Sequence, residues 1–183
     1  MGRTLKKLEV LVTLVLFLTA FSASFQQVSA TSLSTDYYQF RHAATYNFDV
    51  RFYGRPVYFP YWAQEHVWDR HVLGYDMDDV YETTFYPLGQ YVKGRHLPET
   101  MDGYDVVYLI EDAIEYGRAY FYGDRVVILY YLPYYQYRNY GISMMKVVLE
   151  KEYYYGYTYY NVITAYPLYG PDVAVYEDHH WAN

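Results

Sequence analysis

Three runs in the second half of the chain, Arg125 to Leu132, Met144 to Glu152 and Tyr157 to Tyr166, are rich in Val, Ile, Leu and Tyr. They are broken by Pro133, by Asn139 to Gly141 and by Gly156. Branched and aromatic side chains fit a pleated, half-buried surface, and such runs bounded by Pro, Asn and Gly read as strands joined by turns. Upstream, Val106, Val107, Leu109, Ile110, Ala113 and Ile114 recur at intervals of three and four, which predicts an amphipathic helix ending near Gly117. Earlier still, Ala63, His66, Val67, Arg70 and His71 fall at helical spacings, and Asp76 to Asp79 has the composition of a helix start. Helices first and strands afterwards imply an α+β domain with a twisted antiparallel sheet.

The rest of the chain is less regular. Residues 86–102 carry Pro87, Gly89, Gly94 and Pro98 and read as a loop around a basic knot, Lys93-Gly94-Arg95-His96. Residues 31–60 read as a tyrosine-rich arm, loosely packed, with one or two short strands, because Arg55-Pro56 and Phe59-Pro60 push the backbone toward extended conformations. Val173 onward is expected to add an edge strand before a frayed tail at 177–183. No internal repeat of fixed period is present.

The N-terminus has the layout of a secretory signal peptide over residues 1–30. Arg3, Lys6 and Lys7 precede a charge-free apolar stretch from Val10 to Ala23, and Val28-Ser29-Ala30 is a small-residue cleavage pattern. The apolar run falls short of the roughly 20 residues that span a bilayer. A secreted, extracellular chain with no lasting membrane insertion is therefore expected. Without Arg3, Lys6, Lys7 and Glu9 the 14 basic and 21 acidic side chains fall to 11 and 20, a formal charge of −9. That balance argues against a protein that coats nucleic acid nonspecifically, but it leaves room for a local basic pocket.

The chain has no cysteine, although it is expected in a compartment where disulfides persist. Packing must supply its stability, and its 30 tyrosines are the obvious material. Tyrosine buries a large ring and keeps a polar tip that tolerates water. The same rings could instead form a stacking surface for sugars or bases.

Chemistry concentrates in His66-Val67-Trp68-Asp69-Arg70-His71-Val72-Leu73-Gly74. On a helix His66 and Arg70 share a face, with His71 somewhat to the side. A zinc centre needs a third and usually a fourth ligand, and no cysteine or carboxylate stands at a fitting spacing, so no metal or other cofactor is expected. Histidine suits acid-base work near neutral pH. With the cations Lys93 and Arg95 as substrate contacts and the hydroxyls of Thr164 and Tyr166, which share one side of the last strand, a metal-free set for cleaving RNA can be assembled. One histidine takes the proton of a 2′-hydroxyl, a cation stabilises charge on the phosphoryl oxygens, and a second histidine or Tyr166 serves the leaving 5′-oxygen. The alternative is a non-catalytic secreted protein whose tyrosines grip a glycan or a protein partner.

The histidine segment, the helix around VVYLIEDAI, the strand MKVVLEK and above all YYNVITAYP, in this order, resemble the bacterial ribonuclease A-like toxin domain found at the C-termini of contact-dependent inhibition proteins. The resemblance spans about residues 64 to 168. It implies a ribonuclease A-like domain over residues 61–176, an endoribonuclease activity without disulfides, and a cognate immunity protein that blocks the site. It also implies that His71, Thr164 and Tyr166 are catalytic, with His66 and Arg70 at flanking motif positions. The family's active-site arginine is expected in the following helix, where this chain reads Asp76-Met77-Asp78-Asp79-Val80-Tyr81-Glu82. Arg70, Lys93 or Arg95 stands in for it.

Overall fold

A computed structural model of the chain describes residues 34–74, 82–85, 91–92, 95–96, 101–177 and 180–182. Helix α1 (residues 34–42) runs into a π-helical turn at Ala43–Asn47. Strands β1 (Arg51–Phe52) and β2 (Arg55–Tyr58) lead to helix α2 (Tyr61–His71) and the short strands β3 (Glu82–Thr84), β4 (Tyr91–Val92) and β5 (Arg95–His96). Helix α3 (Gly103–Tyr116), strands β6 (Arg118–Tyr122) and β7 (Arg125–Tyr131), and helix α4 (Tyr134–Tyr140) follow. Strands β8 (Met144–Tyr154), β9 (Tyr157–Tyr169), β10 (Ala174–Glu177) and β11 (His180–Ala182) complete an α+β fold.

The main sheet has the order β1-β2-β9-β8-β7-β6, beside a smaller sheet β11-β10-β3 and the pair β4-β5. The expectation of an antiparallel sheet needs correction at one edge. β2 runs parallel to β9, with Val57 opposite Tyr160 and Tyr58 opposite Asn161, so the sheet is mixed. β9 has 13 residues, and an edge of that length left open invites pairing with another chain. The β1–β2 hairpin and then α2 lie along it.

The expectation of a loosely packed arm over residues 31–60 is also corrected. Phe40, Ala43, Ala44, Val50, Phe52, Val57 and Phe59 are buried in the same core as α3 and the sheet. Phe40 packs edge-on against Phe59, with ring centroids 5.9 Å apart, and lies 5.3 Å from Trp68 of α2. Gly103 shows how closely α1 is seated: a Cβ there would lie 1.9 Å from the Asp36 carbonyl oxygen.

Local chemistry explains the strongest elements. α3 opens on a reciprocal capping box, in which Asp102 accepts from the Asp105 backbone N–H and the Asp105 carboxylate accepts from the Asp102 N–H, both at 3.0 Å. Its apolar stripe lies on β7 and β8. Two connections were not anticipated: β6 extends the sheet directly after α3, and the break after Pro133 holds α4. Gln136 of α4 is fully buried because its amide donates to Asp112 at 2.5 Å while its oxygen accepts from the Tyr130 hydroxyl at 2.9 Å. Pro167 does not end its strand. β2 pairs with β9 only at Tyr160 and Asn161, and the edge at Pro167 is met instead by the Thr83 side chain, which donates to the Pro167 carbonyl, so no strand ladder there asks for the missing N–H. The tail was expected to fray, yet His180–Ala182 pairs with β10. The helix start expected at Asp76 to Asp79 and the signal segment 1–30 lie outside the described residues. Among the described residues no helix is long and apolar enough to cross a membrane.

Candidate active site

The histidine segment and the last long strand meet where the C-terminal turn of α2 lies against β9. What turns Thr164 and Tyr166 toward this junction is a bulge. Leu149 faces Val162, but Val148 faces Thr164, which leaves Ile163 without a partner across the strand. An extra residue reverses the alternation of faces. Tyr160, Val162 and Ala165 are accordingly buried in the core, while Thr164 and Tyr166 lie half-buried on the other face with Val148 and Lys146 opposite them.

His71 stacks on Tyr166, with ring centroids 4.7 Å apart and planes inclined by 25°. His66, five residues earlier on the same helix, meets the His71 ring edge-on at 5.3 Å. His71 is 5 % exposed, and its Nδ1 lies 3.0 Å from the Thr83 carbonyl oxygen. A carbonyl can only accept, so Nδ1 carries the proton and Nε2 keeps its lone pair. Burial pushes the His71 pKa down to about 3. The Thr83 carbonyl acts in the opposite direction, and the positive charges of His66 and Arg70 add to the lowering. The ring is thus a neutral acceptor at any physiological pH, despite lying at a helix C-terminus where cations are favoured.

Two further features belong to the site. The Lys146 ammonium stands 5.3 Å from the centre of the Tyr166 ring, within range of a cation–π contact. The Thr164 hydroxyl is screened from solvent and has no hydrogen-bond partner among the described residues. A buried hydroxyl left unmatched costs about 1–3 kcal/mol, so its presence asks for an explanation.

Of the residues expected from sequence, His71 touches both His66 and Tyr166, Arg70 is close enough for its charge to act on His71, and Thr164 shares the face of Tyr166. Lys93 lies outside the described residues, and Arg95 is described only as part of β5. Neither is joined to the junction by anything described. Sequence reasoning missed Lys146. Its alternation with Met145 and Val147 marks it as facing away from the core, but only the register with β9 puts it beside Tyr166. Among the described residues no three His, Asp or Glu side chains are grouped closely enough to hold a metal ion.

Comparison of the chain with protein-family models, with curated proteins and with solved structures finds no match.

Proposed function

We propose that the chain is a secreted, metal-independent endoribonuclease on a ribonuclease A-like fold, cleaving RNA by internal transesterification. The observation that carries this reading is the stacking of a neutral, tautomerically fixed His71 on Tyr166 with His66 alongside. His71 Nε2 takes the proton of a ribose 2′-hydroxyl, and the 2′-oxygen attacks the adjacent phosphorus. The bond to the 5′-oxygen breaks, and that oxygen receives a proton from imidazolium His66 or from the Tyr166 hydroxyl. The products are a 2′,3′-cyclic phosphate and a free 5′-hydroxyl. Lys146 and Arg70 supply positive charge for the phosphoryl oxygens, and the Thr164 hydroxyl donates to one of them once bound substrate displaces the groups that screen it. The chain provides positioning and charge, and the RNA provides its own nucleophile. A cognate inhibitor protein that covers this junction fits the same reading.

Fluorogenic RNA cleavage in EDTA tests the proposal, with His71→Ala and Thr164→Ala beside the wild type. Loss of a positioned acid-base group is expected to cost about 10²–10⁴-fold. Absence of cleavage by the wild type in every buffer tried would overturn the reading. The second reading is a non-catalytic protein that binds a glycan or protein partner. One observation favours it: His71 is almost wholly shielded from solvent.

A further inference from the structure

An open cleft lies away from the histidines, at the end of the sheet where the hairpin turns gather. β1–β2 turns through Tyr53-Gly54 and β8–β9 through Tyr155-Gly156. All four residues have positive φ, 48° and 76° in the first turn and 46° and 85° in the second. The twist of such turns suits a tight hairpin, but asparagine is the usual non-glycine residue there, and a bulky aromatic residue at positive φ is an outlier. The parallel register of Val57 with Tyr160 sets the two turns side by side. Between them is an open cleft of about 710 Å³, lined by Arg51, Arg55, Tyr58, Tyr154, Tyr157 and Tyr159 among others.

The chemistry of the cleft is distinctive. Tyr154 and Tyr157 are 65 % and 74 % exposed, rings held out in water rather than packed. Tyr58 and Tyr159 form an edge-on pair with centroids 5.5 Å apart. Arg51 donates to its own turn at the Gly54 carbonyl, and among the described residues neither Arg51 nor Arg55 has an acidic partner. The cleft also shares a face with the candidate site. Tyr159, Asn161, Thr164 and Tyr166 stand opposite Glu152, Glu150, Val148 and Lys146, every second residue of β8. Tyr159 and Tyr166 are seven positions apart on β9 with the bulged Ile163 between them, about 20 Å at strand rise.

We propose that this cleft is a subsite that stacks the bases of single-stranded RNA and leads the strand along one face of β9 to the His71–Tyr166 junction. The choice of RNA rests on the ribonuclease reading; the stacking function rests on the cleft itself. Aromatic platforms with a few cations hold single strands with little regard to sequence, at about 4 nucleotides or more per site. The spacing suits a short oligonucleotide rather than one nucleotide. The charge contribution is modest, since Glu152 faces Tyr159 on the same surface, while Glu150 is drawn to Arg125 at 3.8 Å.

The test uses a fluorescently labelled 2′-O-methyl decamer, which has no free 2′-hydroxyl and cannot be cleaved, with binding read by anisotropy. Tyr154→Ala/Tyr157→Ala is expected to weaken binding at least tenfold, and Tyr154→Phe/Tyr157→Phe to leave it within about twofold, since the rings remain. Arg51→Gln/Arg55→Gln is expected to flatten the slope of log K against log salt by about 1.4. Binding that survives the alanine pair overturns the subsite. So does a neutral oligosaccharide that binds wild type, is lost in the alanine pair, and is not displaced by the decamer. Because the decamer reports binding directly, failure of cleavage sinks only the ribonuclease reading.

Discussion

The two ends of β9 are built from similar residues and held in opposite ways. At the Tyr166 end a tyrosine is stacked against a buried histidine under α2, and a threonine hydroxyl is sealed away unmatched. At the Tyr157 end the rings stand out in water on turns whose backbone is strained, with Tyr155 86 % exposed. The difference is one of neighbours rather than of residue type. α2 and β3 lie against one end, while the β1–β2 hairpin beside the other leaves the rings of Tyr154, Tyr155 and Tyr157 exposed. A buried end can fix protonation states and orientation, which chemistry needs, while an exposed end can offer surface, which binding needs.

The comparison breaks first at His71. His71→Ala is expected to lower cleavage about 10³-fold while leaving decamer affinity unchanged; loss of both together would show that the two ends act as one. A pH series comes next. The unfolded histidine takes a proton near 6.5, and the folded one resists until about 3. The unfolded state therefore binds more protons in that window, and stability must fall as pH drops through it, by about 1.4 kcal/mol per unit from this group alone. Chemical denaturation at pH 7, 5 and 4 should show a slope that His71→Gln reduces. In the same vein, the acidic limb of kcat/KM should lie well below the usual histidine range.

Smaller effects sharpen the contrast. Lys146→Gln is expected to lower cleavage by about tenfold through the loss of one phosphoryl-facing charge, with melting temperature unchanged. Thr164→Val should remove the cost of the unmatched hydroxyl and raise stability by about 1 kcal/mol while cleavage falls, a trade expected only where a residue serves function. At the exposed end, Tyr155→Asn places a residue that accepts positive φ and should stabilise by about 0.5 kcal/mol, measured by urea midpoint. A destabilised variant there would mean that the Tyr155 ring is held by contacts worth more than its backbone strain.

Part of this architecture was legible in the chain. The α3 stripe, the runs that became β7, β8 and β9, and the helical spacing of His66, Arg70 and His71 follow from local periodicity, which needs no knowledge of neighbours. Simple alternation, by contrast, puts Val162, Thr164 and Tyr166 on one side. The bulge at Ile163 sends Val162 into the core and the other two away from it, and nothing in NVITAYP announces that slip. The burial of Phe40, Phe52 and Phe59 was equally hidden, because Pro56 and Pro60 report backbone extension and say nothing of what the aromatic rings will meet.

By itself, then, the sequence determined the α3 helix, the helical spacing of α2 and the extended runs that became β7, β8 and β9, and it put two histidines on one short helix. Only the tertiary structure decided that β2 joins β9 in parallel, that Lys146 stands over Tyr166, and that His71 is buried and neutral. The physical reason is range. Periodicity and capping act within a few residues, whereas register and burial are set across the fold: Thr83 and Tyr166 reach His71, and Lys146 reaches Tyr166, from other elements of the structure.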